Sequence, residues 1–278
     1  KFLTKDDEIL LTEAEHASNV LPWFNLQNEI GSLVKFIELD NNLVTLKNVK
    51  EAITDKTKVI SLAYVTNVLG DVRPLKEIIK YAHEKGILVV VDAAQAAPHL
   101  KIDVADLDCD FLACSAHKMY GPTGLGILYG KYKCLNELKP VRMGGGMNES
   151  FDNPNEIILK DVPTRFEAGT PNIAQVIAFG EVIKYLNNIG MDVINKREIY
   201  LKNLFVSKLK EFKHIHIYNE NTLSGLVSFS VEDIFSQDVA YYLNKYNICV
   251  RAGNHCAKIL KNATHVTNTV RVSLSFYN

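Results

Sequence analysis

The sequence lacks the features that mark membrane proteins, nucleic-acid-binding proteins and disulfide-stabilised proteins. No apolar stretch approaches the ~20 residues that a membrane-spanning helix needs, and no apolar run follows the first charges as it would in a signal peptide. No basic run occurs and the formal net charge is −1, so nucleic acid and anionic membranes are not expected partners. The five cysteines form no CxxC pair and no zinc-like spacing, which favours a reducing compartment, mostly buried thiols and no metal site.

What is present is the composition of a globular protein with a substantial core. The chain has 278 residues, of which 47% are hydrophobic and 23% are charged, enough for one large domain or two smaller ones. It begins without methionine, a few residues before a predicted strand. We therefore expect it to be part of a longer polypeptide.

Short apolar runs alternate with helical patterns through the first part of the chain. The clearest run, 87–91, follows a helical segment for which Asp71 is the predicted N-cap, Pro74 the first helical residue and Gly86 the C-cap. Continuous apolar strands separated by helices are typical of a parallel sheet covered on both faces, so the predicted fold class is α/β. Other strands are predicted at 7–11, 34–39, 58–63 and 111–114, and helices at 20–27 and 46–53.

The pattern changes after two longer helices, of which the first is predicted to be capped by Asn172 and to end near Gly190, and the second to span 191–212. Short strands then surround a single helix at 237–246, which is typical of an α+β unit. These strands are predicted at 215–218, 226–230, 248–251 and 270–275. We therefore predict a large domain over residues 1–186 and a smaller C-terminal domain over residues 187–278.

Polar residues follow four of the predicted strands at the points where the strands end. Since parallel strands present their carboxyl ends at one edge of a sheet, we expect these side chains to lie close together. They are Glu15 and His16, then Asn67, then Asp92 and Gln95, and finally Ser115, His117 and Lys118.

Lys118 and Asp92 are candidates for chemistry at this edge. Lys118 stands between an apolar strand and a Gly/Pro-rich turn, where partial burial would lower the pKa of its amine and suit it to Schiff-base formation. Taken alone, this stretch favours an ordinary surface lysine in a loop. Asp92 would be a buried carboxylate in need of a cationic or N–H partner, or simply the N-cap of the following helix.

A second group of candidates lies in the C-terminal region. Cys256 is preceded by histidine, lies near Arg251 and opens a possible helix, a setting that could make its thiol nucleophilic. Taken alone, a buried structural thiol is the commoner role. Arg271 could grip a carboxylate with its planar guanidinium, although most such arginines are surface charges.

Together, seven segments of the chain resemble the enzymes of fold type I that depend on pyridoxal 5′-phosphate (PLP), and among them the group II cysteine desulfurases of the Suf iron–sulfur pathway. The resemblance extends from Asp7 to Asn278. The segments are EAEHASNVLPW (13–23), YVTNVLG (64–70), VDAAQ (91–95), SAHKMYGPTGLG (115–126), RFEAGTPN (165–172), RAGNHCA (251–257) and VRVSLSFYN (270–278).

The resemblance implies a PLP-binding large domain and a role for each candidate. Lys118 is the Schiff-base lysine and Asp92 pairs with the pyridine nitrogen. The remaining cofactor-binding side chains are Gln95 and Asn67 at the ring oxygen, His16 stacked on the ring, Ser115 and His117 at the phosphate, and Thr170 at the phosphate of a partner subunit.

The resemblance also implies the reaction, the conversion of L-cysteine to L-alanine. Lys118 moves the Cα proton with His16 beside it, Arg271 binds the substrate carboxylate with Arg251 near the thiol, and Cys256 takes the sulfur as a persulfide. The implied protein is a homodimeric sulfurtransferase that supplies iron–sulfur cluster assembly through a Suf sulfur-acceptor protein. Its compartment would be the bacterial cytoplasm or the plastid stroma.

The sequence departs from the family pattern at both ends. The Gly-Thr-Thr type phosphate-binding segment expected upstream of His16 and the final helix expected after Asn278 are not in the chain. Gln237 stands where members that use a zinc-bearing acceptor often have histidine, which favours a non-zinc acceptor.

Other readings of the same sequence remain open. One group is a selenocysteine lyase, a class V aminotransferase or a kynureninase-like hydrolase, although the last two need no cysteine at position 256. Another is a non-catalytic scaffold of the same fold. The retention of Lys118, Asp92, His16, Cys256 and Arg271 together argues against the scaffold.

Overall fold

The computed structural model describes residues 3–278, and its largest element is a six-stranded sheet. The strand order is β2-β1-β3-β4-β5-β6, with all neighbours parallel except the antiparallel pair β5 and β6. The strands are β1 (Glu8–Thr12), β2 (Leu33–Ile37), β3 (Thr57–Ala63), β4 (Leu88–Asp92), β5 (Phe111–Ser115) and β6 (Gly126–Gly130). The predicted α/β class with a mainly parallel sheet is confirmed.

Both faces of this sheet are buried, as continuous apolar strands require. Along β1, Leu10 packs into one core cluster while Ile9 and Leu11 pack into another, and all three are fully buried. The helices of this region are α1 (Leu21–Ile30), α2 (Leu46–Ala52), α3 (Leu75–Glu84), α4 (Val104–Leu107) and α5 (Tyr132–Glu137). A hairpin of β7 (Asn148–Phe151) and β8 (Ile157–Leu159) follows.

Two long helices, α6 (Ile173–Ile189) and α7 (Met191–Leu209), precede a four-stranded sheet in which every neighbouring pair is antiparallel. Its order is β11-β12-β10-β9, and its core contains Val227, Phe229 and Val270. The elements are β9 (Ile215–Ile217), β10 (Leu226–Val231), α8 (Ser236–Asn244), β11 (Arg251–Gly253), α9 (Leu260–Thr264) and β12 (Thr269–Ser273). The division at residue 186, which falls within α6, stays a prediction.

The predicted helix caps are where the structure departs from the sequence analysis. Pro74 occupies the N-cap position of α3, and Asp71 does not cap the helix because its buried carboxylate accepts from Val44 N at 3.2 Å and faces Arg73. Asn172 precedes α6 without a capping bond, because its side chain donates to the carbonyl of Gly124 at 2.8 Å. Gly86 follows the α3 C-cap residue with a left-handed φ of 71°.

The strand predicted at 248–251 is shifted toward the C-terminus, because β11 begins only at Arg251. Within residues 3–278, no helix is long and apolar enough to cross a membrane.

Candidate active site

A cavity of about 570 Å³ lies where the carboxyl ends of β4 and β5 face strands β11 and β12. The parallel strands bring distant polar residues to one edge, as the sequence analysis expected. Nine predicted site residues line the cavity, namely His16, Asn67, Asp92, Gln95, Ser115, His117, Lys118, Arg251 and Arg271. The cavity therefore joins residues of both sheets.

Lys118 lies in a single 3-10 turn, Ala116–Met119, directly after β5. Burial lowers the pKa of its amine, while the nearby carboxylate of Asp92 partly opposes this effect. A lowered pKa leaves more of the amine unprotonated, which is the form that attacks a carbonyl carbon.

Asp92 ends β4 and has a carboxylate that is only partly satisfied. One oxygen accepts a hydrogen bond from Ala94 N at 2.9 Å, but turns follow β4 directly and the next helix begins at Val104, so the alternative N-cap role is wrong. Among residues 3–278 it has no salt bridge within 4.0 Å, and burial raises its pKa. A cation bound in the cavity would stabilise its charged form.

His16 is fixed at the cavity edge by the short turn that follows it. Its Nδ1 accepts from Ser18 N at 3.1 Å, and its pKa is lowered by burial and then by the charge of Lys118. The ring is therefore held in one orientation, with Nδ1 as a hydrogen-bond acceptor.

The residue before His16 anchors this turn to the large sheet. Glu15 is fully buried and accepts from the guanidinium of Arg73, which also donates to Thr12 Oγ1 at 2.7 Å. The other Glu15 oxygen accepts from Ala63 N at 2.8 Å and from Asn19 Nδ2 at 2.9 Å. Because Glu15 is used up in this buried network, it does not line the cavity. It holds in place the turn that carries His16.

Arg251 and Arg271 stand directly opposite each other on β11 and β12. Like charges in this arrangement repel, and no carboxylate within 4.0 Å pairs with either among the described residues. Burial, and then the charge of Arg251, lowers the pKa of Arg271 to about 10. Its Nη1 donates to Asn67 O at 2.8 Å while its buried Nε has no partner, so part of the fork is available to an anion.

Cys256 is exposed and does not itself line the cavity, but Arg251, which contacts its sulfur, does. Arg251 Nη2 donates a hydrogen bond to the Cys256 sulfur at 3.4 Å. The expectation that Cys256 opens a helix is wrong, because the chain makes a left-handed turn at His255 and Cys256 and the next helix, α9, begins at Leu260.

Thr170 is exposed and does not line the cavity, so its predicted contact with a partner subunit stays a prediction. The sequence analysis missed Ser18, Asn19 and Cys114, which also line the cavity. Their closeness in sequence to His16 and Ser115 was the available signal. Within residues 3–278, no group of three or more His, Cys, Asp or Glu side chains could hold a metal ion.

The residues of the cavity fit PLP. The carboxylate of Asp92 lacks a cation, the amine of Lys118 has a lowered pKa, and the buried Asn67 Oδ1 has no partner among the described residues. The protonated nitrogen of a PLP ring would pair with the carboxylate of Asp92, and its carbonyl carbon would react with the amine of Lys118. Fold and site together define a fold-type I enzyme, and its cofactor is PLP.

Comparison with known proteins agrees with this class. The family model "Aminotransferase class-V" matches residues 1–278. A probable cysteine desulfurase of Halalkalibacterium halodurans is 42% identical over 277 residues, which are 99% of this chain and 68% of that protein. The chain belongs to the class-V aminotransferase family, and a second relative, of Staphylococcus aureus, is also named a probable cysteine desulfurase, with 39% identity over 98% of this chain and 66% of that protein.

Two solved structures of cysteine desulfurases superpose closely on this fold. That of CsdA from Escherichia coli, in an S-sulfonic acid form, has a TM-score of 0.95 and 33% identity, covering 99% of this chain and 69% of that one. The apo enzyme of Thermococcus onnurineus has a TM-score of 0.94 and 36% identity, with coverages of 99% and 70%. The chain thus spans about two thirds of the length of the relatives it matches.

Proposed function

We propose that this chain carries the active site of a PLP-dependent cysteine desulfurase that converts L-cysteine to L-alanine and keeps the sulfur as a persulfide on Cys256. The observation that carries the proposal is the position of Cys256. Its exposed sulfur lies 3.4 Å from Arg251, which lines the same cavity as Lys118 and Asp92.

PLP would be held by the residues that line the cavity. Asp92 would pair with the ring nitrogen, Lys118 would form the covalent link, and His16 would stack on the ring. Asn67 and Gln95 would bind the ring oxygen, and Ser115 and His117 the phosphate, with Thr170 contributed across a dimer interface. When bound, PLP supplies an electron sink for charge that develops at Cα of the substrate.

The substrate carboxylate would bind to Arg271, whose buried guanidinium has an unpartnered Nε. Its neighbour Arg251 adds positive charge from the opposite strand. A carboxylate between two arginines relieves their mutual repulsion, so binding orients an amino acid with its side chain directed toward Cys256.

Lys118 would remove the proton from Cα, because its lowered pKa suits an amine to act as a base. The thiolate of Cys256 then attacks the substrate sulfur. A sulfur–sulfur bond forms, the Cβ–S bond of the substrate breaks, and its electron pair stays with the carbon skeleton. That skeleton takes up protons and leaves as L-alanine.

Selenocysteine is a second possible substrate, since the same cavity would accept selenium in place of sulfur. Aminotransferase or kynureninase-like activity would leave the exposed Cys256 beside Arg251 without a role. We further propose a homodimer in the bacterial cytoplasm or the plastid stroma, which passes sulfur to a Suf acceptor protein for iron–sulfur cluster assembly.

The test uses the intact protein loaded with PLP and supplied with L-cysteine. Alanine and sulfide are assayed, and the visible absorbance of bound PLP is recorded. We expect Lys118→Ala to lose the absorbance band and Cys256→Ser to keep it while releasing no sulfide. Cys249→Ser is the matched control, because Cys249 is also exposed but, within the described residues, its sulfur has no hydrogen bond to Arg251.

Three outcomes separate the alternatives. Alanine formation that survives Cys256→Ser would contradict the persulfide step. Higher turnover of L-selenocysteine than of L-cysteine would assign a lyase. A wild-type protein that never acquires the absorbance band would be a scaffold.

A further inference from the structure

The turn that carries Cys256 has an unfavourable backbone. His255 has a φ of 52° and Cys256 a φ of 61°, and both lie in the left-handed region that residues other than glycine seldom occupy. Two such residues in succession persist only where the surrounding structure holds them. The contacts that hold this turn therefore decide where the sulfur lies.

The side chain of His255 is the first of these contacts. It is 2% exposed, and its Nε2 lies 2.9 Å from Thr269 Oγ1 and 3.1 Å from Thr269 O, at the start of β12. Because a carbonyl oxygen only accepts hydrogen bonds, Nε2 carries the proton. Its Nδ1 is buried and has no partner among the described residues, so the ring is neutral.

The backbone of the same residue is held from the opposite side. The carbonyl of His255 accepts from Asn67 Nδ2 at 2.7 Å, and Asn67 follows β3 of the large sheet. The carbonyl of Cys256 accepts from Ala17 N at 2.8 Å. The turn is thus tied to β12 by a side chain and to the rim of the large sheet by two carbonyls, while the sulfur stays exposed.

We propose that His255 is a positioning residue for the persulfide-forming cysteine. Its neutral ring, bound to Thr269, holds the left-handed turn that places Cys256 Sγ beside Arg251 at the edge of the cavity. The proposal rests on the proposed desulfurase function and adds the residue that fixes its nucleophile. His255 itself does not line the cavity.

Two pairs of variants test the proposal. His255→Leu removes the ring donor, whereas His255→Gln retains an N–H donor near the position of Nε2. Thr269→Val removes the hydroxyl with little change of shape, and Thr269→Ser keeps it. The Thr269 substitutions change the structure less. They replace the His255 pair in the test if circular dichroism shows that His255→Leu is unfolded.

The first measurement does not depend on catalysis. Cys256 is alkylated with iodoacetamide at a fixed pH and quantified by peptide mass spectrometry, with the exposed Cys249 of the same sample as the internal reference. We expect His255→Leu to slow Cys256 alkylation about 5- to 10-fold relative to Cys249, because the thiolate loses its place beside Arg251. Thr269→Val should show a smaller loss, and His255→Gln and Thr269→Ser should react as the wild type does.

The second measurement is steady-state kinetics with L-cysteine and PLP. A thiol displaced by about 1 Å slows its reaction on the order of 10- to 100-fold, so kcat should fall by that factor in His255→Leu. KM and the absorbance of bound PLP should not change, because Arg271 and Lys118 are not altered.

Two results separate this proposal from the proposed function. Unchanged alkylation and kcat in both His255→Leu and Thr269→Val would overturn the positioning role, even in an active desulfurase. Slowed alkylation in a protein whose wild type forms no alanine would support the role of His255 and overturn the desulfurase function.

Discussion

Arg271 is the residue of the site whose hydrogen-bonding and charge requirements are least satisfied by the protein itself. A buried guanidinium that faces another arginine and has an unpartnered Nε is suited to bind an anion. Hydrogen bonds to charged groups contribute roughly 1.5–3 kcal/mol, so Arg271→Leu should raise KM for L-cysteine by about 10- to 100-fold. Initial-rate kinetics measure the change.

The matched control for this prediction is Arg142→Leu, because Arg142 is exposed and does not line the cavity. Equal KM values for Arg271→Leu and the wild type would remove Arg271 from the carboxylate site.

A second prediction for a single residue concerns how His255 contributes to the pH dependence of the free energy of unfolding. Burial, with the charges of Arg271 and Arg251, lowers its pKa from 6.5 to about 4. Between these values the unfolded chain binds a proton that the folded protein does not bind. The free energy of unfolding therefore falls as the pH decreases through this window, by at most about 3 kcal/mol, and His255 contributes no pH dependence above it.

Urea denaturation at a series of pH values, on the wild type and on His255→Gln, measures this contribution. Other groups titrate equally in both proteins and cancel in the difference. The wild type should lose more stability than the variant between pH 6.5 and pH 4. Parallel curves for the two proteins would show that His255 is protonated in the native state.

At the scale of elements, the buried ion pair of Glu15 and Arg73 joins the end of β1 to the segment before α3. Removing one partner leaves the other charge buried and alone, which typically costs about 3–5 kcal/mol. We expect Arg73→Met to lower the free energy of unfolding by that amount. Because Glu15 directly precedes His16, the variant should also weaken PLP binding.

A double variant, Arg73→Met with Glu15→Leu, separates lost charge compensation from lost packing. It leaves only the buried carboxylate of Asp71 without its cationic partner, whereas Arg73→Met alone leaves those of Asp71 and Glu15, so it should recover part of the stability that Arg73→Met loses. Chemical denaturation of Arg73→Met, Glu15→Leu, the double variant and the wild type tests this. A double variant less stable than the sum of the single changes would contradict the ion-pair explanation.

An element can be predicted from sequence when the interactions that form it are between residues close together in the chain. The strands β1, β3, β4 and β5 are buried apolar runs, and a buried run is visible in the local sequence. The roles of Asp71 and Asn172 were missed because their partners, Val44 N and the carbonyl of Gly124, are 27 and 48 residues away. Local sequence suggested caps, and tertiary contacts replaced them.

The candidate site likewise has a part that the sequence predicts and a part that it does not. Polar residues at the ends of parallel strands could be predicted to converge, and seven of them line one cavity. The left-handed turn at Cys256 could not be predicted, because it depends on bonds from His255 to Thr269 and from Asn67 to His255. The first bond requires the pairing of β11 with β12, and the second requires contact between the two sheets.

At the scale of the whole molecule, the cavity lies between the large sheet and the small sheet, so a bound cofactor should stabilise the assembled protein. PLP at 100 times its dissociation constant would add about 2.7 kcal/mol to the free energy of unfolding, or about 5 °C or more in Tm. Differential scanning calorimetry of the apo protein with and without PLP measures the shift.

Asp92→Asn should reduce the shift at the same PLP concentration, since an amide cannot balance a protonated ring nitrogen. Asp55→Asn, at an exposed turn, is the control and should keep it. A full shift in Asp92→Asn would mean that Asp92 does not contact the ring nitrogen.

The placement of Cys256 has one more consequence. Its backbone carbonyl is held by a hydrogen bond from Ala17 N, whereas the residue as a whole is exposed. Under the proposed function, the transferred atom leaves by a bond exchange on the outside of the molecule, and the cavity need not open to release it. Transfer of the sulfur from Cys256 would then be a second-order reaction. Its rate would depend on how often an acceptor thiol collides with the surface at Cys256.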